Sequence, residues 1–464
     1  MAQAEQATQG NVPVAAVHPI GTRDGTLAKD AKLVNLFSEP WEEGNSATKR
    51  PGTVLVQQNP AALAQGQFQV NGVSYAISGD IIYRTGTGAS FAIPTVTVSN
   101  QQYQCLSDSP LGTSLLKSAS GLWKFDGTTV TKVTDVNYPA TTVFGIAYLD
   151  GGYYVMDNSG NVRGSAFQNP LSWPALNFIG DTSLGAAVAV NRHLNYIVAI
   201  YASGMQFYYD AGNATGSPLS VVSNASWKTG SAVGDSLVEF ADDTFLLSKG
   251  LQKGASVMMV TGLSLTIISN PYIERIIARD NLSEVHAFGI RTAGHGFYVL
   301  TLVNTGVTLA FDTGMKDWAV WTGVVGGVEQ YFPAFNYLNS GTQDLLQNRS
   351  TGAVIAMDPT VYTDVTGGIP CLIRTQPHSW GTMARKFLPA IYLLADTIAS
   401  TVSIRYSDDD YTSYSTYRTV SLATVRKMLQ RCGSSRRRSW DILHNDNTPF
   451  RLYSMEVEAE RGAG

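Results

Sequence analysis

Charge is the scarcest commodity in this chain of 464 residues: Asp, Glu, Lys and Arg make up only 15% of it, against roughly 25% in an ordinary globular protein. So thin a charge cover suits a surface that neighbouring subunits hide, although strand-rich proteins also run low in charge. The net charge of −4 at pH 7 excludes a general nucleic-acid binder by bulk charge, since that role needs a basic footprint. Cysteine is nearly absent. Cys105, Cys371 and Cys432 are far apart and form no C-x-x-C pair; this argues against a zinc site or a disulfide framework and for reduced structural thiols. No run approaches the ~18 consecutive apolar residues of a membrane span, so no membrane insertion is expected. The opening MAQAEQATQG has neither a basic n-region nor an apolar h-region, and does not read as a secretory signal.

Motifs that carry chemistry are missing too. There is no G-x-S-x-G elbow, no H-E-x-x-H and no Walker A loop. The glycine-rich stretch 84–91, RTGTGASF, does not fit G-x-G-x-x-G and reads as a hairpin end. The six histidines are scattered, and His286 and His295 lack metal-ligand spacing with any Cys or acid. Asp157-Asn158-Ser159-Gly160-Asn161 resembles a calcium loop but lacks Gly at position six and Glu at position twelve, so a hairpin turn explains it better. Ser407-Asp408-Asp409-Asp410-Tyr411-Thr412 resembles an Asp-box turn, which is structural even in enzymes. No catalytic residue, cofactor or metal is expected.

What is present is a β composition: 44 Gly for turns, with 22 Tyr, 8 Trp and many β-branched residues for pleats. Hairpins recur at 70–84, 120–133, 151–165, 196–210, 245–262, 297–312 and 344–358, turning on Asn-Gly, Ser-Gly, Asp-Gly or Thr-Gly pairs. Their second strands centre near Ile82, Phe125, Val162, Phe207, Met259, Leu309 and Ile355. These lie roughly 40 to 50 residues apart, the period of a four-stranded propeller blade. The fold class expected is all-β: a six- or seven-bladed β-propeller over 52–384, with an N-terminal extended arm (1–51) and a small C-terminal antiparallel β domain (385–464). Either blade count fits, because one hairpin can belong to an insertion. A pair of β-sandwiches is the competing architecture. Asn270-Pro271 offers an N-cap and N1 pair, and Asn281 through Glu284 has capping-box spacing, so two short helices are expected there. In the final strand, Leu452, Ser454, Glu456 and Glu458 alternate against Tyr453, Met455, Val457 and Ala459.

One charge feature stands out. Arg426, Lys427, Arg431, Arg436, Arg437 and Arg438 fall in a stretch, 411–440, that contains no acid. A solvated face is one reading; an anionic partner, either DNA or an acidic face of an adjoining subunit, is the other. Arg forks suit phosphate and carboxylate alike. Trp440 beside the cluster reads either as an interface anchor or, at least as well, as a core aromatic, and Trp41 in the arm is a further aromatic candidate for an interface.

Several stretches, in order, resemble a known family. They are Val34-Asn35-Leu36 with Arg50-Pro51-Gly52, Lys228-Thr229-Gly230 through Phe245-Leu246-Leu247-Ser248 to Ile273-Glu274-Arg275-Ile276-Ile277, Gly294 to Leu302 with Thr308 to Asp312 and Trp318, and Arg431 to Arg436 with Pro449-Phe450-Arg451-Leu452. They look like the tail nozzle, or packaged-DNA stabilisation, proteins of short-tailed bacteriophages (podoviruses). The resemblance implies a virion tail component assembled in the host cytoplasm as a homo-oligomeric ring, a hexamer, below the portal–adaptor ring. It would close the DNA exit channel, retain the genome until ejection, and carry fibres, spikes or a needle. A carbohydrate-binding or carbohydrate-active propeller is the alternative; it requires convergent carboxylates on the propeller axis.

Overall fold

The computed structural model describes residues 10–461 except 30, 61–62, 110 and 250–253. Turn chemistry builds it from the bottom. Asn71 and Gly72 adopt φ of 49° and 73°, the left-handed pair that lets a two-residue turn follow the strand twist. Each expected hairpin centre sits on the third strand of its own sheet: Ile82 on Ile81–Arg84, Phe125 on Gly121–Phe125, Val162 on Asn161–Gly164, Phe207 on Met205–Asp210, Met259 on Ala255–Thr261, Leu309 on Val307–Asp312 and Ile355 on Val354–Asp358. There are seven such sheets, so no hairpin belongs to an insertion. Their innermost strands are Ala64–Val70, Gln104–Ser109, Ala147–Leu149, Ala187–His193, Val238–Phe240, Val285–Thr292 and Ala334–Asn339. Each touches the next, and the last touches the first. The propeller therefore has seven blades, numbered here in that order.

Closure comes from the start of the chain. Blade 7 takes its first three strands from 334–358 and its outermost strand from Gly52–Gln57. Arg50, just before that strand, is fully buried. Its Nε donates to Asn35 Oδ1 (2.9 Å), Nη1 to Pro51 O and Asp364 Oδ1 (both 3.0 Å), and Nη2 to Thr322 O (2.8 Å) and Asp364 Oδ2. All five guanidinium donors point at a partner, and the Phe332 ring centroid lies 4.8 Å from the guanidinium carbon. Asn35 completes the knot, with Nδ2 donating to Thr322 Oγ1 and Pro370 O and Oδ1 accepting from Thr322 N. Gly52 is required by close approach: a Cβ there would stand 2.2 Å from Thr363 O.

The segment expected as an extended arm is paired within this chain. Gly10–Ala15 lies against the final strand Arg451–Arg461, and Leu36–Trp41 with Gly44–Lys49 forms a hairpin whose second strand also meets that final strand. Residues 16–29 form a strap fastened to the propeller. Arg275 and Arg279 donate to Thr22 O and Asp24 O, and Ile20 and Leu27 pack on Ile273, Ile276 and Ile277. Lys32–Val34 then bridges blade 6, at Val320, to Cys371–Arg374, so one ten-stranded sheet runs from blade 6 into the C-terminal unit. That sheet and the one around Arg451–Arg461 enclose a core that includes Leu36, Ile391, Ile404, Trp440 and Val457. Cys371–Arg374 joins this unit ahead of residue 385.

Two local expectations need correction. Asn270 caps the helix Pro271–Ile277 through Tyr272 N and Ile273 N, but no second helix follows. Asn281 Oδ1 instead accepts from Ser283 N in a two-residue turn, because the chain must enter the inner strand of blade 6 at Val285. In the last strand, a register shift opposite Leu394 and Ala395 puts Leu452 in the core with Met455 and Val457, leaving Ser454, Glu456 and Glu458 on the outer face. A bulge changes the phase of a strand in just this way.

Arg50→Met should cost about 3–5 kcal/mol, because it strands the Asp364 carboxylate in the interior; the denaturant midpoint reports this loss. Burial, with Lys49 nearby, holds the His444 imidazole down from 6.5 to about 4. The unfolded chain therefore takes up a proton between those values that the folded chain refuses, and stability falls as pH drops through that window. His18 and His286 are held to about 4 in the same way, burial first. The melting temperature should fall between pH 6.5 and 4.5, and less steeply in His444→Gln.

Candidate functional site

Among the places in the molecule that could carry function are the propeller axis, a large cleft and the basic stretch of the C-terminal unit. The axis holds a space of about 330 Å³ lined from the inner strands of six blades and, for blade 3, from Phe144 to Ile146 just before its inner strand; Gln67, Gln104, Asn191, Glu239, Phe288 and Tyr337 are among the residues that face it. Glu239 is the one carboxylate in that lining, and burial raises its pKa. Glycoside cleavage needs two carboxyl groups across the scissile bond; Glu239 stands alone in this space and shares the adjoining one with Asp108 and Arg192. Towards one mouth of the axis, burial holds the Lys117 ammonium down to about 7 while its Nζ donates to Gln104 Oε1 and Val143 O. Burial raises the Asp235 carboxyl to about 6.

The cleft, of about 890 Å³, opens between turns of blades 5 and 6 and Pro40. His295 Nδ1 lies 2.6 Å from Asp312 Oδ2, and Nε2 lies 3.8 Å from Glu39 Oε1. The hydrogen bond to Asp312 raises its pKa. With carboxylates on both ring nitrogens the imidazolium is favoured, and neither nitrogen is free to take a proton from a nucleophile. Among the described residues, no three His, Cys, Asp or Glu side chains converge as metal ligands. The Cys371 thiol is buried and pushed up to about 12, which makes it a packing group.

The structure divides the basic stretch. Arg438 is buried, held by Asp408 through Nε (2.6 Å) and Nη2 (2.7 Å), with Nη1 on Cys432 O and the guanidinium 3.6 Å from the Tyr406 ring centroid. Trp440 is buried beside it, 5.3 Å from the same guanidinium. Lys427 is buried, with Nζ on Thr397 Oγ1. Arg437 pairs with Asp410 at 3.0 Å. Trp41 is half-buried on Tyr453, with centroids 5.2 Å apart. Arg426, Arg431 and Arg436 remain exposed; Arg426 rests on Tyr392, and Arg436 donates to Met383 O. The acids of the turn at 407–412 thus neutralise part of a cluster that looks unopposed along the chain. Asp409 of that turn accepts from Ser407 Oγ, Ser413 N and Ser413 Oγ, as a structural turn should. Sequence reasoning missed Asp364 and Asn35 as partners of Arg50, and the apolar groove between blades 3 and 4 described below.

A family described as bacteriophage P22 Gp10, β-propeller, matches residues 24–362. The chain belongs to this phage stabilisation family. The match takes in all seven blades, the later part of the strap and Asn35, Arg50, Pro51 and Thr322 of the knot, and stops short of Asp364 and of the strands from Cys371 onward. No curated protein matches the sequence. Among solved structures the chain is similar to YCF48 from Cyanidioschyzon merolae (11% identity, TM-score 0.41, covering 66% of this chain and 99% of that one). It is also similar to the N-terminal domain of Nup159 (8%, TM-score 0.41, covering 70% and 98%) and to BamB from Moraxella catarrhalis (12%, TM-score 0.36, covering 75% and 98%). Membership of the family makes the chain a phage virion component with a stabilising role in the tail.

Arg438→Ala should lower stability by about 3 kcal/mol, as loss of a buried, paired guanidinium does, whereas Arg436→Ala should change it by less than about 0.5 kcal/mol, as an exposed substitution does. Parallel urea titrations separate the two.

Proposed function

We propose that this chain is a wall subunit of a ring at the end of a short phage tail, where it closes the DNA exit channel, retains the packaged genome and gives neighbouring tail proteins a surface to attach to. The observation that carries this reading is the family match over 24–362. The size of the axis supports it: about 330 Å³ is the scale of a small-molecule pocket, so the DNA passes between subunits and never through one propeller. The portal–adaptor ring on one side and fibres, spikes or a needle on the other are the partners such a position brings. Assembly takes place in the host cytoplasm, before the particle is released. The mild negative charge lets DNA slide past without sticking.

Mass photometry and negative-stain images of the full-length protein should give a closed ring of about six copies. Particles made without it should package DNA and then lose it. A protein that stays monomeric and binds no tail protein, together with particles that keep their genome, overturns the reading.

A further inference from the structure

A closed ring of identical subunits needs two different, complementary faces on each copy. Two surface features here have the required character and are unexplained by the fold. The first is a groove of about 440 Å³ between the loops of blades 3 and 4. Phe167 and Leu176 stand on its wall at 73% and 71% exposure, a cost that an isolated subunit has no reason to carry. Tyr154 lies at its base, and Asp150 and Asp210 stand at its rim. The Tyr154 phenol is raised first by burial, then by those two carboxylates, so both acids act on the same small space.

The second feature is at the tip of the C-terminal unit. Met383 and Phe387 are 61% and 51% exposed. Arg385 and Arg436 are exposed beside them; Arg436 donates to Met383 O, and Arg385 donates to Ser434 Oγ, next to the strand pair Phe387↔Ser434. Lys386–Phe387 pairs with Glu460 and Arg461, the far end of a strand whose near end, Arg451, is tied to Glu39 by blade 6. Eleven residues of strand carry the tip roughly 35 Å from that point.

The charges are complementary. Asp150 and Asp210 stand at the groove, and Arg385 and Arg436 stand at the tip. The placement also fits. The C-terminal unit is fastened at blades 6 and 7, so blade 5 separates it from the groove one way round and blades 1 and 2 the other. The attachment of the C-terminal unit and the groove therefore lie on nearly opposite sides of the propeller. We propose that the Met383–Phe387 tip of one copy docks in the groove between blades 3 and 4 of the next, with Arg385 and Arg436 facing Asp150 and Asp210. This rests on the ring reading above and names the surfaces that make the ring. The occupant is a second copy of this chain, since the chain itself carries both the apolar plug flanked by Arg and the apolar socket flanked by Asp. Charge matching of this kind sets register and suppresses wrong partners, while the aromatic and aliphatic anchors supply the holding energy.

Mixing complementary variants tests it. F167D/L176D destroys the socket and M383D/F387D destroys the plug, so each alone should be monomeric by mass photometry. An equimolar mixture should give dimers and nothing larger, because one live face remains on each. Charge reversal gives a milder second pair: R385D/R436D and D150K/D210K should each raise the concentration needed for rings at least tenfold, and their mixture should close rings again. If either apolar variant alone still closes rings, or if both mixtures fail although every variant melts at the wild-type temperature, the surfaces are wrong while the ring stands. A wild type that never oligomerises overturns the ring itself, and this assignment with it.

Discussion

A guanidinium with no water around it is the constraint on which the rest of this molecule depends. Burying Arg50 is affordable only because each of its five donors finds an acceptor, and those acceptors come from four separate places: Asn35, Pro51, Thr322 and Asp364. Remove any one of them and the desolvation of the ion is no longer offset. The consequence reaches beyond one ion pair. Gly52–Gln57 completes blade 7 across a separation of about 300 residues, and such a closure is entropically costly before any contact repays it. Arg50 fastens the closing strand to the outermost strand of blade 6, at Thr322, and to Asp364 on the way into the C-terminal unit. Arg50 thus ties closure of the propeller to the docking of that unit, alongside the Lys32–Val34 bridge.

This explains why the parts of the fold were unequally legible. The turns Asn71-Gly72 and Asp150-Gly151 act over two residues, and the Asn270 cap acts over three, so their signals lie in the local chain. The hairpin spacing followed from them, and with it the blades. What residues 10–49 do could not be read locally, because Val12 pairs with Val457 and Ala47 with Leu452, more than 400 residues away. A strand whose partner is that distant looks like an arm. Arg438 and Arg437 looked unopposed for the same reason: Asp408 and Asp410 precede the acid-free stretch in sequence and fold back onto it. The phase of Leu452 was lost to a bulge, which periodicity cannot show.

The candidate sites divide along a similar line. No catalytic motif was read from the residues; on the axis, Glu239 lines the central space and meets Asp108 in the adjoining one. The apolar groove was invisible, because Asp150, Phe167, Leu176 and Asp210 come from loops of two blades. Only the stacking of blade 3 on blade 4 brings them together.

The low charge of the chain can now be placed more closely than composition allowed. Charges that could have solvated the surface are spent inside: Arg50 on Asp364, Arg374 and Arg405 on Asp441, Arg438 on Asp408. These pairs lie where the propeller meets the C-terminal unit, or within that unit, so ion pairing here serves to fix one body against the other. Buried pairs contribute little net stability compared with apolar packing, but they tolerate only one geometry. For a subunit whose socket is carried by blades 3 and 4 and whose plug is carried by the C-terminal tip, that rigidity decides the angle between the two faces. The angle in turn decides whether a head-to-tail chain of copies closes into a ring or runs on as a helix.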